Sequence, residues 1–456
     1  MAKKQIELSS LQPVANSVIA TDIPDYLVDS YYKYISYITA GRVCCNYLDG
    51  FLNIYRRTLY AAYKICRTHY VKAATLNSHV SGHYSPHGES PTATISLVSN
   101  GFLNIIGSNE NNMGVEYADA AAPRYIEVKL HPIAEIIFLN NDLLPYVDYS
   151  LTELSTTENE IYEPTFLPVL LPGMYTAIAN SSEFESYMEK GIKVIYPRYS
   201  IISLMNYVIN YLKTGEFNKN LLYYQYHNMV KKCSCDDQIR FEEEFKCPMS
   251  IDSENQVHIL AKPPFANMEN MLKNIPYVDL TSTHTDIVFP YKYITSSFKT
   301  NPKFNMLAYK VIDNNYEKAV LKPYTIKDAI CTIISTLQNI LFPRYFKDKI
   351  QKTQDQIDEY NLLKIVHDKY IIQHIPYDQM TEEEQKCAGR HRVINFMNID
   401  KKINELSIEK NTYIQRSQNI AQEILNLYET SLVKITKLLQ DYYKEENVVL
   451  YDVTNI

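Results

Sequence analysis

The sequence predicts a multidomain α+β protein, because the pattern along its 456 residues changes twice. Helical segments come first and are followed by a loop-rich stretch with short strands. Short β-rich runs interleaved with helices come next, and helix-forming sequence dominates the remainder. At about 150 residues a domain, the chain accommodates roughly three domains. We expect an N-terminal segment over residues 1–28 and domains over residues 29–147, 148–325 and 326–456.

The first domain begins with two predicted helices within residues 29–70, the second in IYRRTLYAAYKICR, where apolar residues recur at helical spacing. A turn-rich stretch, SGHYSPHGESPTA, follows. A further helix is predicted to start near Ser90–Pro91, where a polar cap precedes a proline. Residues 101–114, rich in Asn and Gly, predict loops and short strands. A winged-helix module has this order of elements, with helices first and a small β element after them.

The second domain is predicted to be an α/β fold with its own sheet. Its predicted strands lie in FLPVLLPGMYTAIA, VIYPRYSI, QVHILAK and DIVFPYKYI, and its predicted helices in LMNYVINYLKTG and NMENMLKNI. The acidic cluster FEEEF at residues 241–245 is interpreted as a solvated face.

The third domain is predicted to be a long antiparallel helical hairpin. Residues 324–374 are helix-forming, with an interruption only around Pro343. From Ile399 a 3-4 alternation, typical of a coiled coil, runs through Ile403, Leu406, Lys410, Tyr413, Ser417, Ile420, Ile424 and Leu427. The segment MTEEEQKCAGRHRV between the arms is interpreted as a small knot that makes a dimer contact. On periodicity alone, a helical bundle with no mechanical role explains the pattern equally well.

Composition narrows the classes of function. No run approaches the roughly 18 apolar residues of a membrane span, and the polar start MAKKQIELSS lacks the apolar stretch of a secretory signal, so an intracellular protein is expected. The net charge of −7 argues against nucleic acid as a ligand. Residues 31–131, however, hold nine Lys and Arg against six Asp and Glu, which permits a DNA-binding module there.

The eight cysteines are interpreted as reduced thiols, because they are too few for a disulfide scaffold in so long a chain. Cys233, Cys235 and Cys247 are three possible zinc ligands, and His227 or His258 would have to complete the usual four. Free thiols are the default interpretation.

Arg124 next to Tyr125 is the pair that indicates chemistry on DNA. A tyrosine hydroxyl can attack a phosphodiester when cations stabilise the phosphoryl oxygens and, usually, a metal acts on the leaving oxygen. Arg124 and Arg56–Arg57 are candidate cations, since guanidinium groups match phosphate geometry. His87, within Pro-His-Gly, is a candidate to orient a phosphate or handle a proton. Taken singly, each residue is better explained by packing or solvation, since 40 tyrosines bring some next to an arginine by chance.

Four motifs follow one another along the chain. They are DGFLNIYRRTLYA preceded by Arg42, YSPHGES, GSNENNMGVEYADAAAPRY and EPTFLPVLLPGMYTAIAN. They resemble the R...DG-x5-RR-x2-YA, YHPHGD, GQGNFGS...AAAxRY and Gly-Ile-Ala blocks of one family, the breakage-reunion (A) subunit of type IIA DNA topoisomerases. The resemblance is to the gyrase A core and especially to the phage-type medium subunit. Weaker similarity in AKPPFANMENMLKNI and MTEEEQKCAGRHRV extends it over about residues 25–445.

This resemblance implies a winged-helix DNA-cleavage domain, an α/β tower domain and a coiled coil with a small helical dimerisation knot. It makes Tyr125 the nucleophile that joins a DNA 5′-phosphate, with Arg124, His87 and Arg42 stabilising or orienting the reacting phosphate. Ile178 would wedge between base pairs and kink the DNA, its alternative role being a strand-core isoleucine. The implied DNA contacts are Arg56, Arg57, Lys72, His83 and Ile178.

Several positions depart from the family pattern. Ser85 and Tyr55 stand where the family has histidines, Leu52 stands for a lysine, and Gly107-Ser108-Asn109 replaces a Gly-Gln-Gly turn. These changes remove contacts to DNA, as expected of a divergent phage or viral enzyme. They also favour a second hypothesis, a DNA-binding scaffold that keeps the fold but has lost the chemistry.

The sequence has no Gly-rich nucleotide loop and no Asp-x-Asp cluster suited to Mg²⁺. The resemblance therefore implies a partner subunit that binds ATP and holds Mg²⁺ in a TOPRIM-type fold, with two copies of each chain around a homodimer. The chain ends just past the coiled coil, without the wrapping domain of gyrase, which favours ATP-dependent relaxation and decatenation over supercoiling. The expected location is the cytoplasm or nucleoid of a phage- or virus-infected cell.

Overall fold

The structure is a computed structural model that describes residues 23–38, 46, 48–86, 94, 97, 106–108, 122–152, 154–175, 199–226, 228–233, 241–245, 249–251, 254, 256–259, 278–279, 287–290, 307–311, 326–390, 398–445 and 448–452. The chain divides into two compact units, residues 1–44 and 45–456. The first contains helix α1 (Ile23–Ile38), on which Tyr26, Leu27 and Tyr31 are exposed. Within the described ranges, no helix is both long and apolar enough to cross a membrane.

The second unit begins with helices packed on a three-stranded antiparallel sheet. Its elements are, in order, α2 (Asn53–Ile65), β1 (Val71–Lys72), α3 (Ala73–His83), β2 (Ile106–Ser108), β3 (Glu127–Leu130) and α4 (Pro132–Ile137). The strand order is β1-β3-β2, so β3 is central. Helix α2 confirms the second helix predicted within residues 29–70, whereas the first, α1, begins earlier than predicted, at Ile23.

Helix α3 was not predicted, and its last residues, Ser81–His83, were wrongly assigned to a turn-rich stretch. The reason lies in its buried stripe, which contains only two large apolar side chains: Ala73, Leu76, Asn77 and Val80. The Asn77 amide oxygen accepts a hydrogen bond of 2.6 Å from the Thr94 hydroxyl, which allows an amide to be buried there. The helix start predicted at Ser90–Pro91 lies outside the described residues.

His131 caps α4, because its Nδ1 accepts a hydrogen bond of 3.2 Å from the Ile133 amide. Burial disfavours the imidazolium ion and lowers the pKa of His131 to about 4. The unfolded chain binds this proton at about pH 6.5, so acidification through the interval from about 6.5 to 4 destabilises the fold.

Replacing His131 with asparagine should therefore flatten the acid side of the stability profile, since asparagine caps helices without titrating. We expect wild-type protein to lose about 2 kcal/mol more than His131→Asn between pH 7 and pH 5, measured by urea unfolding. Parallel pH profiles of the two proteins would contradict this assignment.

Between residues 148 and 325 the described strands form several small sheets. The elements are β4 (Tyr149–Leu151), β5 (Tyr162–Pro164), α5 (Ile201–Thr214), β6 (Tyr223–Tyr226), β7 (Met229–Lys232), β8 (Phe241–Phe245), β9 (Met249–Ile251), β10 (Gln256–Ile259), β11 (Val278–Asp279), β12 (Ile287–Pro290) and β13 (Leu307–Val311). Strands β4 and β5 form a hairpin, β8 pairs with β13, and the four-stranded sheet has the order β11-β12-β10-β9. Strand β14 (Tyr451–Asp452) pairs in parallel with β7, which also pairs with β6.

Three predictions for this region are confirmed: QVHILAK contains β10, DIVFPYKYI contains β12 and LMNYVINYLKTG lies largely in α5. The cluster FEEEF, interpreted as a solvated face, is the strand β8. The strand predicted in FLPVLLPGMYTAIA is wrong over residues 166–175, which are irregular and end in a 3-10 turn at Pro172–Met174. Pro168 and Pro172 explain this, since proline lacks the amide hydrogen that a strand ladder requires. NMENMLKNI and most of VIYPRYSI lie outside the described ranges.

The remaining described elements are helical. They are α6 (Ile326–Thr336), a π-helical stretch (Leu337–Leu341), α7 (Phe342–His367), a second π-helical stretch (Asp368–Ile372), α8 (Glu382–Arg390), α9 (Ile399–Ser417) and α10 (Ile420–Glu445). The interruption expected around Pro343 takes the form of the first π-helical stretch. Pro343 itself occupies the first turn of α7, where a missing amide hydrogen costs little.

Helices α7 and α9 run antiparallel, as the apolar alternation predicts. The Lys364 ammonium lies 2.6 Å from an Asp400 carboxylate oxygen at one end of the pair. At the other end, the Arg416 guanidinium lies 5.6 Å from the centre of the Phe346 ring. Helix α9 is followed by a turn at residues 418–419, after which the chain continues as α10.

A continuous buried core joins α2 and its sheet to α5, α6 and α10. Tyr428 of α10 is fully buried, and its hydroxyl donates a hydrogen bond of 2.7 Å to the Val169 carbonyl. The Tyr146 hydroxyl donates one of 2.6 Å to Asp348 of α7. The three-stranded sheet and the long helices α7 and α10 therefore contribute to the same hydrophobic core.

Candidate active site

Tyr125 lies on a turn, residues 123–125, that leads into β3. The Tyr125 amide donates a hydrogen bond of 2.8 Å to the Ala122 carbonyl and closes this turn. The next residue, Ile126, is completely buried and anchors the turn in the core. The Tyr125 side chain thus projects from a segment that its buried neighbour Ile126 fixes in the core.

The beginning of α3 fixes the same turn. The Ala73 amide donates to the Ile126 carbonyl at 2.8 Å, and the Ala74 amide donates to the Pro123 carbonyl at 3.1 Å. The first amides of a helix have no partner within the helix, so these bonds satisfy two of them. They also hold Tyr125 close to the electropositive end of α3, a favourable place for an anionic phosphate.

The Tyr125 side chain is 60% exposed, and Arg124 is exposed next to it. The Arg124 guanidinium lies 4.8 Å from the centre of the Tyr125 ring, a cation–π distance. Among the described residues, none is hydrogen-bonded to the Tyr125 hydroxyl. The predicted nucleophile and the cation predicted to assist it are therefore adjacent and accessible.

Arg56, the first arginine of the pair, is buried in an ion pair with Asp49. Its Nη2 donates to Asp49 Oδ1 at 3.1 Å, and the same carboxylate accepts a bond of 3.0 Å from the Phe51 amide. Burial raises the pKa of the Asp49 carboxyl, and the neighbouring Arg56 opposes this shift. Within this chain, Arg56 stabilises the turn before α2.

Gly50, in the same turn, requires the absence of a side chain. Its φ is +70°, and a Cβ atom would lie 3.1 Å from Cδ of Pro172. Both the left-handed backbone and the contact with the Pro172 ring exclude larger residues.

Gly50→Ala should therefore destabilise the fold by about 1–3 kcal/mol. Gly82→Ala is a matched control, because Gly82 lies in α3 with nothing within 4 Å of the position that a Cβ atom would take, so alanine there should stabilise. Urea unfolding of both variants tests this contrast, and equal effects would show that Gly50 has no special role.

Arg57 is buried in an ion pair with Glu163, which lies 106 residues further along the chain. The guanidinium has 7% and the carboxylate 6% of its side-chain surface exposed. The pair joins α2 to β5, and the sequence offered no signal for it. Both predicted DNA-binding arginines thus have carboxylate partners inside the fold, and their contact with DNA stays a prediction.

Lys72 and His83 lie at opposite ends of α3. The Lys72 ammonium is 2.6 Å from a carboxylate oxygen of Glu127, which lies two residues after Tyr125. The exposed His83 ring stacks on His79, with ring centres 4.1 Å apart, and its Nδ1 donates to the His79 carbonyl. Burial, assisted by the charge of His83, lowers the pKa of His79. Only Lys72 is connected to the Tyr125 segment by a described contact.

Arg42, His87 and Ile178 lie outside the described residues, so their predicted roles stay predictions. The substituted positions Leu52, Tyr55 and Ser85 are all buried. The side chains that stand in place of the family's polar groups therefore contribute to packing. Cys233 is half-buried, with its Sγ 2.7 Å from the Tyr224 hydroxyl, while Cys235, Cys247 and His227 lie outside the described ranges.

Comparison with known proteins agrees with the resemblance. Residues 42–183 match the family model of the A subunit of DNA gyrase/topoisomerase IV. The A subunit of DNA topoisomerase 4 from Mycoplasma pneumoniae is 29% identical over 162 residues, which are 34% of this chain and 20% of that protein. The Staphylococcus aureus counterpart is 27% identical over 210 residues, 44% of this chain and 24% of that protein. The A subunit of DNA gyrase from a Synechocystis species is 28% identical over 162 residues, 34% of this chain and 18% of that protein.

The matched region thus spans at most about a quarter of the length of these relatives. It includes the Tyr125 turn, the Arg56–Asp49 pair and Glu163. Over this region, the chain is similar to the A subunits of DNA gyrase and DNA topoisomerase 4.

Proposed function

We propose that the chain is the DNA breakage-reunion subunit of a type II topoisomerase and that Tyr125 is its nucleophile. The observation that carries this proposal is the exposed Tyr125 on a turn fixed by Ile126 and by the first amides of α3. It lies inside the region that matches the family model.

The proposed step is a phosphoryl transfer without net redox change. The Tyr125 hydroxyl oxygen attacks the phosphorus, the new phosphotyrosyl bond forms, and the bond to the 3′ oxygen breaks. The phenolic proton leaves, and the departing 3′ oxygen gains a proton. Because the new ester replaces the old one, the reverse reaction can reseal the strand.

Arg124 is proposed to stabilise the developing charge on the phosphoryl oxygens. Its guanidinium lies 4.8 Å from the centre of the Tyr125 ring, which supports this role because guanidinium groups match phosphate geometry. His87 and Arg42 are proposed to assist, and Ile178 to kink the duplex. Arg56 and Arg57 primarily hold the fold, and any contact they make with DNA requires rearrangement of their ion pairs.

Mg²⁺ and ATP are proposed to be held by a partner subunit. Among the described residues, no group of three or more His, Cys, Asp or Glu is placed to hold a metal ion. The proposed assembly is a homodimer of this chain with two such partners, and the proposed activities are relaxation and decatenation.

A scaffold that binds DNA without cleaving it is the second candidate. The packing roles of Leu52, Tyr55 and Ser85 favour it, because the usual polar groups are absent at these positions. Incubation of the chain and its partner with DNA and Mg²⁺, followed by denaturation, separates the two hypotheses. Protein covalently attached to DNA 5′ ends supports the enzyme, whereas DNA binding without any attachment supports the scaffold.

A further inference from the structure

The outer face of the β1-β3-β2 sheet continues directly from Tyr125. In β3, Val128 and Leu130 are buried, so Glu127 and Lys129 point away from the core. Tyr125 precedes this strand by two residues and is exposed. Tyr125, Glu127 and Lys129 therefore follow one another at alternate positions of the same segment.

Strand β1 and the residue before it add two side chains to this face. Lys72 pairs with Glu127 across the sheet, and Tyr70, which directly precedes β1, contacts Lys129. The Lys129 ammonium lies 5.7 Å from the centre of the Tyr70 ring, which is 43% exposed. The aromatic ring thus supports the Lys129 side chain without neutralising its charge.

On its other side, Lys129 pairs with Gly107 of β2, which contributes no side chain at that position. No described carboxylate forms an ion pair with Lys129, in contrast to Lys72, whose charge is offset by Glu127. Counting Arg124, the described residues of this face comprise three cations and one carboxylate. These residues carry a net positive charge next to Tyr125.

We propose that Lys129, supported by Tyr70, binds a phosphate of the DNA strand at a distance from the phosphate that Tyr125 attacks. Lys129 lies four residue steps after Tyr125, a length of about 13 Å at roughly 3.3 Å a step in extended chain. That length is about four base-pair steps of B-DNA at 3.4 Å each. The inference rests on the proposed function and adds a contact outside the reacting centre.

The test separates DNA binding from cleavage by using Tyr125→Phe as the parent in the full-length chain. Affinity for a fluorescent duplex is measured at salt concentrations of about 50 to 200 mM KCl. The proteins compared are the parent and three double variants, in which Lys129→Gln, Lys129→Arg or Lys349→Gln is added to Tyr125→Phe. Lys349 is a matched control, because its ammonium lies 5.6 Å from the Tyr345 ring on α7. Thermal melting of each variant verifies that the fold is retained.

Lys129→Gln is expected to weaken binding about eightfold at 0.1 M salt and to reduce the slope of log K against log salt by about 0.9 for each chain. Lys129→Arg should keep the parent slope, and so should Lys349→Gln. If the Lys129→Gln slope equals that of the control, Lys129 binds no phosphate and the inference is overturned. This holds whether or not the face contacts another protein. A parent that fails to bind DNA at any salt concentration would instead overturn the proposed function.

Discussion

Tyr125→Phe is expected to abolish the covalent protein–DNA adduct and to lower strand passage by roughly 10⁴-fold or more, because no other group replaces the nucleophilic oxygen. The fold should be unaffected. Tyr125 is 60% exposed, and the deleted hydroxyl takes part in no hydrogen bond among the described residues. Loss of activity with unchanged stability is the signature of a chemical role.

Tyr162→Phe is the matched control for this prediction. Tyr162 is another exposed tyrosine of the matched region, and its hydroxyl donates to Glu160 at 2.7 Å. Its removal should leave adduct formation and melting temperature near wild type. A Tyr125→Phe protein that still forms the adduct would exclude Tyr125 as the nucleophile.

Glu163→Ala is expected to destabilise the fold by about 3–5 kcal/mol, the largest stability effect that we predict. It leaves the Arg57 guanidinium, 7% exposed, without its carboxylate. The measurement is the midpoint of urea unfolding. An unchanged slope of the unfolding free energy against urea concentration shows that the unfolded state is unaltered. Glu160→Ala, at an exposed position of the same hairpin, should change stability by less than about 0.5 kcal/mol.

A double variant separates the structural role of Arg57 from its predicted contact with DNA. Arg57→Met with Glu163→Leu replaces the buried pair by apolar groups of similar size, which should recover most of the lost stability. If Arg57 also binds DNA, this stable double variant binds duplex more weakly than wild type. If Glu163→Ala behaves like Glu160→Ala, the buried pair does not hold α2 to β5 as we infer.

The sequence predicted the helices best where apolar spacing was regular. In helices α2 and α5 and in the antiparallel arms α7 and α9, apolar residues recur at helical spacing, and these segments are helical in the structure. Helix α3 was missed because its stripe includes Ala73 and Asn77, and the amide is compensated by Thr94. The strand predicted over residues 166–175 does not form, because Pro168 and Pro172 lack the amide hydrogens that a strand ladder requires despite the apolar run around them.

For the candidate site, the sequence indicated Tyr125 and Arg124 but not what holds them. The bonds from the Ala73 and Ala74 amides to the Tyr125 turn join segments about 50 residues apart, and backbone contacts leave no residue signature. The partner of Arg56 was inside the quoted motif, as Asp49, whereas Glu163 was too remote to be linked to Arg57. The motif thus predicts phosphate contacts for Arg56 and Arg57, whereas the fold supplies each of them with a buried carboxylate partner.

Identification of the DNA-linked amino acid tests the central claim most directly. The chain, its partner, Mg²⁺ and a defined duplex are incubated, denatured and digested with protease and nuclease, and the nucleotide-bearing peptide is sequenced by mass spectrometry. We predict a nucleotide joined through its 5′-phosphate to Tyr125 within the peptide that contains AAAPRYIE. A linkage at another tyrosine, or no linked peptide although the protein binds the duplex, would contradict the account.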